Sequence, residues 1–334
     1  MRARAEGHPI SITGLGVHVP ERVVTNDELA TYVETSDEWI STRTGIRERR
    51  IAAETEAMSD LSLPASRAAL AQAGLEGPEL DVIIVATVTP DMAFPATAAL
   101  LADELGAHDA AAYDLSAGCT GFMYALVQAY GMLAAGLSRR ALVVGGDILS
   151  RILDWSDRST VVLFGDGAGA VVLERVEAGG FLGFELGADG GGGKELLLPG
   201  SGSRLFDNGA RHLTMNGREV FKFATRVMVS SAEAVLEECG RTVDEIDVYV
   251  PHQANVRIID HAARKLGIPE EKVVVNVDRF GNTSSGSIPL ALADASADGR
   301  LKPGRLVLMT GMGAGLTWGS ALIEWTHDLS GPAA

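Results

Sequence analysis

Cysteine is scarce in this sequence, and long apolar runs are missing. Only Cys119 and Cys239 occur among 334 residues, which is too few for a disulfide framework and fits a reducing compartment. No segment holds the roughly 18 consecutive apolar residues that a transmembrane helix needs. The first residues, MRARAEGHPI, carry charges without an apolar stretch behind them. We therefore expect a cytoplasmic protein with neither a secretory signal nor a membrane anchor.

Basic residues are also few, since 28 Lys and Arg stand against 44 Asp and Glu and give a net charge of −16. Such a balance repels a phosphate backbone, so general nucleic-acid binding is not expected, although a local basic patch is compatible with it. The sequence has no HExxH or CxxC spacing, so no metal site is expected. With 46% hydrophobic residues, the chain has enough apolar side chain for a folded core.

Two patterns alternate along the chain. Short apolar runs, mostly β-branched and bounded by Gly, Asp or Pro, are typical of strands buried on both faces. These runs are Ile10–Leu15, Val82–Val88, Ala141–Val144, Val161–Leu163, Ala170–Leu173, Val248–Val250, Val273–Val277, Leu306–Met309 and Ala321–Trp325. Segments with helical periodicity lie between them: Leu63–Ala73, Thr97–Leu105, Cys119–Ala135, Arg218–Cys239 and Val256–Leu266. The alternation predicts an α/β fold of stacked layers.

The sequence also repeats itself once. Ala69–Val85 resembles Val235–Pro251 without a gap, and each copy predicts a helix, a Gly stop, a short loop and a buried strand. Ala112–Leu126 pairs at nearly the same offset with Val275–Leu292, and Arg139–Gly146 pairs next with Gly304–Gly311. These matches predict two similar α/β halves, residues 1–178 and 179–334. A site is expected where corresponding strand ends of the two halves meet.

Cys119, in the segment DLSAGCTGF, is the first candidate for chemistry. It stands between a predicted strand end and the N-terminus of an apolar, buried helix, where unpaired N–H groups and the helix dipole favour a thiolate. We therefore expect a lowered pKa for this thiol. The simpler interpretation is a small cysteine packed in the core.

His252 and Asn282 are the second-half candidates. His252 directly follows the strand DVYVP, and Asn282 lies in the loop that corresponds, by the repeat, to the loop of Cys119. A thiolate can take up an acyl group, while an imidazole and an amide can donate two hydrogen bonds to a carbonyl that becomes an enolate. The three groups therefore suit a carbon–carbon condensation. They equally suit a cysteine hydrolase, with the histidine as base and the asparagine orienting it.

Several motifs occur in order over residues 9–326: ETSDEWISTRTGI, AGC, FGDGAGA, NGREVFKFA, VPHQAN, GNTS and GLTWGSA. Together they resemble β-ketoacyl-[acyl-carrier-protein] synthase III, the initiating condensing enzyme of type II fatty-acid synthesis. The resemblance implies a thiolase-like fold, with two duplicated α/β halves in a five-layered αβαβα arrangement. It also implies a homodimer that needs no cofactor, because acyl-coenzyme A is a substrate.

The resemblance implies a role for each matching position. Cys119 corresponds to the acylated nucleophile, and His252 and Asn282 correspond to the pair that binds the malonyl thioester carbonyl. The backbone N–H groups of Cys119 and Ala314 correspond to the oxyanion hole. Matches to coenzyme A contacts are Thr35, Trp39, Arg43, Arg158, Asn255 and Arg257. Matches to the acyl pocket are Leu163, Phe221 and Phe94, the last reaching across the dimer to the partner's pocket.

Acyl carrier proteins are acidic, so a partner of this kind needs a basic patch on this acidic chain. Arg257, Arg264 and Lys265 lie on one predicted helix after His252, and Lys222 lies on the helix before it. We expect these four residues to bind the carrier protein.

These assignments have simpler alternatives. The basic helix face would then be an ordinary solvated surface with no role in carrier-protein binding. The basic run Arg43, Arg47, Arg49 and Arg50 would likewise be a solvated face. A condensing enzyme of secondary metabolism with the same fold remains the main alternative activity, and a thioester hydrolase is the other. Cys239, before Gly240, resembles a packing position at a helix end, and no catalytic role is assigned to it.

Overall fold

The computed structural model describes residues 1–204 and 211–330. Its strands are β1 (Arg2–Arg4), β2 (Ile10–His18), β3 (Val23–Thr25), β4 (Glu48–Arg50), β5 (Val82–Ala86), β6 (Ala111–Leu115), β7 (Arg140–Asp147), β8 (Gly167–Arg175), β9 (Gly180–Ala188), β10 (Leu196–Leu197), β11 (Thr214–Met215), β12 (Val248–Pro251), β13 (Leu306–Gly313) and β14 (Thr317–Glu324). Its α-helices are α1 (Asn26–Leu29), α2 (Asp37–Thr44), α3 (Met58–Ala73), α4 (Thr97–Glu104), α5 (Gly121–Ala134), α6 (Arg158–Val161), α7 (Gly217–Cys239), α8 (Val256–Leu266), α9 (Val277–Phe280) and α10 (Ser287–Ala297).

Two five-stranded sheets form the frame, in the orders β2-β8-β7-β5-β6 and β1-β9-β14-β13-β12. Helices α5 and α10 pack between the sheets, where apolar side chains from both sheets join one core. Helix α3 covers the outer face of the first sheet together with α4, and α7 covers the second sheet beside α8. The result is five layers, helix–sheet–helix–sheet–helix, which confirms the predicted thiolase-like architecture.

The sequence repeat corresponds to a structural repeat. Helices α3 and α7 both end at a left-handed glycine, Gly74 with φ 69° and Gly240 with φ 63°. After each glycine comes a short 3₁₀ turn and then a buried strand. Asp81 and Asp247 stand just before these strands, and each carboxylate accepts backbone N–H bonds from the start of the neighbouring strand. The paired positions therefore hold the same fold elements in both halves.

Strand β9, which opens the main run of the second sheet, begins at Gly180. The N-terminal β1 nevertheless pairs with β9 rather than with the first sheet. The division of the chain into halves at residues 178 and 179 stays a prediction, because strand order alone does not define where one folding unit ends.

Two predicted strands are wrong. Val161–Leu163 ends a helical turn rather than forming a strand, because the Asp157 carboxylate caps the backbone N–H of Ser159 at 2.9 Å and starts α6. Val273–Val277 makes only a single bridge, Val273 to Tyr249, before the chain turns into α9. Most of their apolar side chains pack into the core, Val275 at 42% exposed being an exception, so burial rather than strand formation explains most of their composition.

The basic run near residue 49 is not a uniformly solvated face. Arg49 is fully buried, donates to the carbonyls of Val24 and Val162 at 3.1 Å each, and donates to Asn26 Oδ1 at 2.9 Å. Burial lowers the pKa of this guanidinium to about 10. Within residues 1–204 and 211–330, no helix is long and apolar enough to cross a membrane.

Candidate active site

Cys119 stands between β6 and α5, where the chain leaves the first sheet and enters the central helix layer. Helix α5 begins at Gly121, two residues later than the sequence predicts, since Gly118 has a positive φ of 56° and turns the chain first. This turn places the cysteine just ahead of the helix N-terminus, at the junction of the two halves.

Close backbone contact joins this turn to the hairpin between β13 and β14. A Cβ atom at Gly118 would lie 2.7 Å from the carbonyl oxygen of Ala314 and 2.8 Å from its nitrogen. A Cβ atom at Gly313 would lie 2.5 Å from the nitrogen of Cys119. Only glycine fits at these two positions, so the backbones of Cys119 and Ala314 approach each other directly.

The expected pKa of the thiol is wrong in direction. Burial raises the pKa of Cys119 to about 11, and the buried carboxylate of Asp147 adds to the increase. The Ser284 hydroxyl and the backbone N–H groups of Ala314 and Cys119 act in the opposite direction but do not outweigh desolvation. Helix dipole arguments omit this desolvation, which is why they predict the opposite sign.

His252 follows β12 and is almost fully buried. Its Nδ1 lies 2.9 Å from the hydroxyl oxygen of Ser287, at the start of α10, and its Nε2 has no hydrogen-bond partner among the described residues. Burial lowers the pKa of this imidazole to about 4, so it is neutral at pH 7. The ring therefore offers a polar group without bringing a charge into the site.

The next residue, Gln253, fixes the loops around this histidine. Its side-chain amide donates to the carbonyls of Pro251 at 2.8 Å and Val274 at 2.9 Å. Its carbonyl oxygen accepts from the backbone nitrogens of Asn276 at 2.9 Å and Val277 at 3.2 Å. The buried glutamine thus satisfies the backbone groups that a continued strand at Val273–Val277 would have paired, which explains why that strand does not form.

Asn282 is held by its own backbone. Its nitrogen donates to the carbonyl of Leu163 at 2.8 Å, and its carbonyl accepts from Gly165 at 3.0 Å. Its side-chain Oδ1 accepts from the backbone nitrogen of Ser284 at 2.9 Å. Because Oδ1 is engaged in this way, the Nδ2 group is the part of the amide that remains to donate to a ligand.

One cavity of about 380 Å³ brings Cys119, His252 and Asn282 together. The first residue comes from one half and the other two from the second half, as the repeat predicts. The cavity also contains Trp39, Arg43, Asn255, Leu163 and Phe221 in its lining. Eight of the residues singled out from the sequence therefore share one space.

A second, smaller cavity of about 110 Å³ adjoins Cys119, Gly118 and Ala314. Its remaining walls are almost entirely apolar, and the sequence analysis assigned none of these residues to the site: Val88, Leu149, Ile152, Phe164, Leu196, Leu197, Leu198 and Leu213. They come from five separate segments of the chain. No local spacing in the sequence signals such a wall, because only the folded chain brings the segments together.

Guanidinium groups flank the Trp39 ring at the outer part of the site. The Arg43 and Arg158 guanidinium carbons lie 4.7 Å and 4.8 Å from the ring centroid. Asn255 caps α8 by accepting from the Arg257 nitrogen, and its amide donates to the Arg43 carbonyl at 3.1 Å. These contacts gather basic groups around a large planar ring, an arrangement that suits an aromatic, anionic ligand.

The other predicted contacts lie outside both cavities. The Thr35 hydroxyl is buried without a hydrogen-bond partner in the described part of the chain, and Arg257 stacks on the Phe221 ring at 5.6 Å. Phe94 is 84% exposed and belongs to neither cavity of this chain. Lys222, Arg264 and Lys265 are exposed, and Lys222 lies 3.7 Å from Glu219.

For residues 1–204 and 211–330, no group of three or more His, Cys, Asp or Glu side chains is arranged to hold a metal ion. The Gly-rich segment FGDGAGA packs tightly: a Cβ atom at Gly169 would lie 2.6 Å from the Pro289 ring. It serves the contact between β8 and α10, and it does not form a phosphate loop.

Two duplicated halves around a central helix pair, with a cysteine at their junction, define an acyl-transferring enzyme of the thiolase-like fold. The sequence matches the family described as 3-oxoacyl-[acyl-carrier-protein (ACP)] synthase III over residues 113–190 and its C-terminal domain over residues 236–325. The chain belongs to this family of β-ketoacyl-[acyl-carrier-protein] synthases III.

Named relatives are similar to this protein in sequence and structure over nearly the whole chain. A β-ketoacyl-[acyl-carrier-protein] synthase III from Symbiobacterium thermophilum is 56% identical over 324 residues, covering 95% of this chain and 98% of the relative. The crystal structure of 3-oxoacyl-[acyl-carrier-protein] synthase III from Aquifex aeolicus has a TM-score of 0.90 at 47% identity, over 95% of this chain and 100% of that one. The Thermus thermophilus enzyme has a TM-score of 0.89 at 52% identity, over 94% and 99%.

Proposed function

We propose that this enzyme condenses a short acyl-coenzyme A with malonyl-[acyl-carrier protein]. The products are β-ketoacyl-[acyl-carrier protein], CO2 and coenzyme A, and the reaction initiates fatty-acid synthesis. The observation that carries this proposal is the cavity shared by Cys119, His252 and Asn282. The names of two relatives that are 56% and 50% identical to this chain support it, and neither is named as a hydrolase or as an enzyme of secondary metabolism.

In the first half-reaction, the sulfur of Cys119 attacks the thioester carbonyl of the acyl-coenzyme A. The Cys119–acyl bond forms, the bond to the coenzyme sulfur breaks, and the thiol proton ends on the released coenzyme A. The negative charge that develops on the carbonyl oxygen is stabilised by the backbone N–H groups of Cys119 and Ala314. The direct approach of the two backbones at Gly118 and Gly313 supports this role.

In the second half-reaction, the malonyl thioester oxygen accepts hydrogen bonds from His252 Nε2 and Asn282 Nδ2. Loss of CO2 leaves an enolate on this oxygen, and its carbon attacks the acyl-Cys119 carbonyl. The Cys119 sulfur then leaves as a thiolate and takes up a proton from the solvent, which restores the thiol. Decarboxylation generates the nucleophile, so a strong base is not needed. A neutral imidazole and an amide with a free Nδ2 match this donor role.

The cavity of about 110 Å³ beside Cys119 is the proposed site of the acyl chain. This space is less than a third of the larger cavity's volume of about 380 Å³, which favours a short acyl chain over a long one. Its apolar walls favour a short hydrocarbon over a polar group. Leu163 and Phe221 line the neighbouring larger cavity, and Phe94 is proposed to complete the acyl site of the partner subunit in a homodimer.

Coenzyme A is proposed to lie along the outer part of the larger cavity. Trp39 and Arg158 would hold the adenine between them, and Thr35, Arg43, Asn255 and Arg257 would contact the rest of the coenzyme. The basic groups around the Trp39 ring support this assignment. The Arg158 guanidinium carbon lies only 4.8 Å from the ring centroid, so this side chain must move away from the ring to admit the adenine. No cofactor takes part in the proposed mechanism, and the proposed place of action is the cytoplasm.

A homodimer is supported by an apolar edge of the first sheet. Strand β6 is an outer strand, and half-exposed or exposed apolar side chains surround a groove beside it, among them Leu115, Met132 and Leu137. Exposed strand edges are usually covered. Sedimentation equilibrium should give twice the chain mass of 35.0 kDa, and a monomer at micromolar concentration would contradict this part of the proposal.

The deciding experiment separates the half-reactions. Intact-mass spectrometry after incubation with acetyl-coenzyme A should show one added acetyl group, which is absent in Cys119→Ser. Malonyl-carrier protein should then yield β-ketoacyl-carrier protein and CO2. Labelling of Cys239 instead, or acyl transfer to water without condensation, would overturn the proposal.

A further inference from the structure

The Ser287 hydroxyl connects two groups of the active-site wall. Ser287 is buried at the first turn of α10, and its Oγ lies 2.9 Å from Nδ1 of His252. The same Oγ accepts a hydrogen bond of 2.6 Å from the backbone nitrogen of Gln253. The hydroxyl is thus fixed from one side by a backbone donor and faces the imidazole on the other.

Counting hydrogens decides which way the bond to the imidazole runs. A hydroxyl has one hydrogen to donate, and the hydrogen bonds of the described residues give Ser287 one acceptor for it, Nδ1 of His252. The reverse arrangement, with Nδ1–H donating, would leave the hydroxyl hydrogen buried without an acceptor. That arrangement is disfavoured because a buried donor without a partner loses its hydration and gains nothing in return.

The direction of this bond determines the protonation of the other ring nitrogen, Nε2. When Nδ1 accepts, the single hydrogen of a neutral imidazole resides on Nε2. This Nε2 is buried, has no partner among residues 1–204 and 211–330, and belongs to a ring that lines the cavity with Cys119 and Asn282. Its hydrogen is therefore available to a substrate oxygen and to nothing else in the described protein.

We propose that Ser287 is a positioning residue that holds His252 as the Nε2–H tautomer, and so keeps it a hydrogen-bond donor to the malonyl thioester oxygen. The inference rests on the proposed decarboxylation. It adds that His252 in the resting enzyme carries no free Nε2 lone pair, so it is not the acceptor of the Cys119 thiol proton at that nitrogen.

The variant Ser287→Ala tests this role through the two half-reactions. The turnover number for malonyl decarboxylation should fall at least about tenfold, because a histidine in the wrong tautomer presents a lone pair to the oxygen. Acetyl transfer to Cys119 should stay within about threefold of wild type, because it does not use the imidazole as a donor. Equal losses in both half-reactions, or no loss in either, would overturn the proposal.

Ser296→Ala is the matched control. Ser296 lies on the same helix, is also buried, and donates to the carbonyl of Leu329 at 2.6 Å. The variant removes a buried, hydrogen-bonded hydroxyl from the same helix, but this hydroxyl does not contact His252. Both half-reactions should remain at wild-type rates in this variant, and a selective loss of decarboxylation here would contradict a specific role for Ser287.

Nitrogen NMR of the wild-type protein, labelled at histidine nitrogens, tests the tautomer even if Ser287→Ala does not fold. The spectrum of His252, assigned by the loss of its signals in His252→Gln, should show a protonated Nε2 and an unprotonated Nδ1 at pH 7. A protonated Nδ1 would overturn the inference. Failure of the wild-type enzyme to decarboxylate malonyl-carrier protein would instead reject the proposed function and leave the tautomer result standing.

Discussion

The thiol of Cys119 lies beside a helix N-terminus and is nevertheless protonated at neutral pH, because burial raises its pKa to about 11. Alkylation by iodoacetamide requires the thiolate. We expect the rate at Cys119, followed by peptide mass mapping, to rise about tenfold per pH unit from pH 7 to pH 10. Cys119→Ser gives the background from Cys239. A rate that is already constant from pH 7 would show that the thiolate forms in the free enzyme.

His252 should make the stability of the protein depend on pH. Its pKa is about 4 in the folded protein, below the ordinary value of 6.5. The folded state therefore binds fewer protons here, and the associated stability is present above pH 6.5 and is lost as pH falls towards 4. Relative to His252→Gln, the wild type should lose up to about 3 kcal/mol of unfolding free energy between pH 7 and pH 4. The free energies come from urea denaturation at each pH. The same change of unfolding free energy with pH in both proteins would contradict this.

Strand β13 contains two glycines that differ in the space available for a side chain, so the need for glycine beside Cys119 can be tested by comparing them. A Cβ atom at Gly313 would lie 2.5 Å from the Cys119 nitrogen, whereas one at Gly311 would lie 3.4 Å or more from its neighbours. Gly313→Ala should displace the proposed oxyanion donors, the backbone N–H groups of Cys119 and Ala314, and lower acetyl transfer by about 100-fold or more. Gly311→Ala should keep its rate within a few-fold. Similar rates in the two variants would show that the hairpin does not set the geometry around the cysteine.

Most helices and strands follow from periodicity, and the repeat is enough to place Cys119 opposite Asn282. The failures have a common cause. Val161–Leu163 and Val273–Val277 are apolar mainly because they are buried. Their backbone conformation is set by polar side chains, by the nearby Asp157 in the first segment and by Gln253, about 20 residues earlier in the chain, in the second. The small apolar cavity and the Ser287 contact depend on segments that only folding brings together, so no spacing in the sequence predicts them.

For the chain as a whole, the net charge of −16 opposes an acidic partner, so the proposed docking surface must act locally. The double variant Arg264→Glu with Lys265→Glu should raise the KM for malonyl-carrier protein by about tenfold or more at low salt. Malonyl-coenzyme A needs no protein contact, and its KM should change little. The wild-type KM for the carrier protein should rise with salt.

Lys302→Glu is the control for this charge reversal, because Lys302 is exposed on the loop after α10 and lies outside the proposed docking surface. Its KM for both malonyl donors should match wild type. Equal increases with both donors in the double variant would show that the helix face is structural rather than a docking surface.

The contact between Gly313 and Cys119 also sets an order of events during synthesis of the chain. Cys119 is synthesised early, but Ala314, its proposed partner in the oxyanion hole, and the strand β14 that follows are synthesised about 200 residues later. A ribosome-bound chain that stops before residue 314 has the thiol without the backbone groups that are proposed to speed its acylation. Such a nascent thiol should therefore remain unacylated in a cell rich in acyl thioesters. Acyl transfer to Cys119 should begin only when β14 has paired with β13 and β9 in the second sheet.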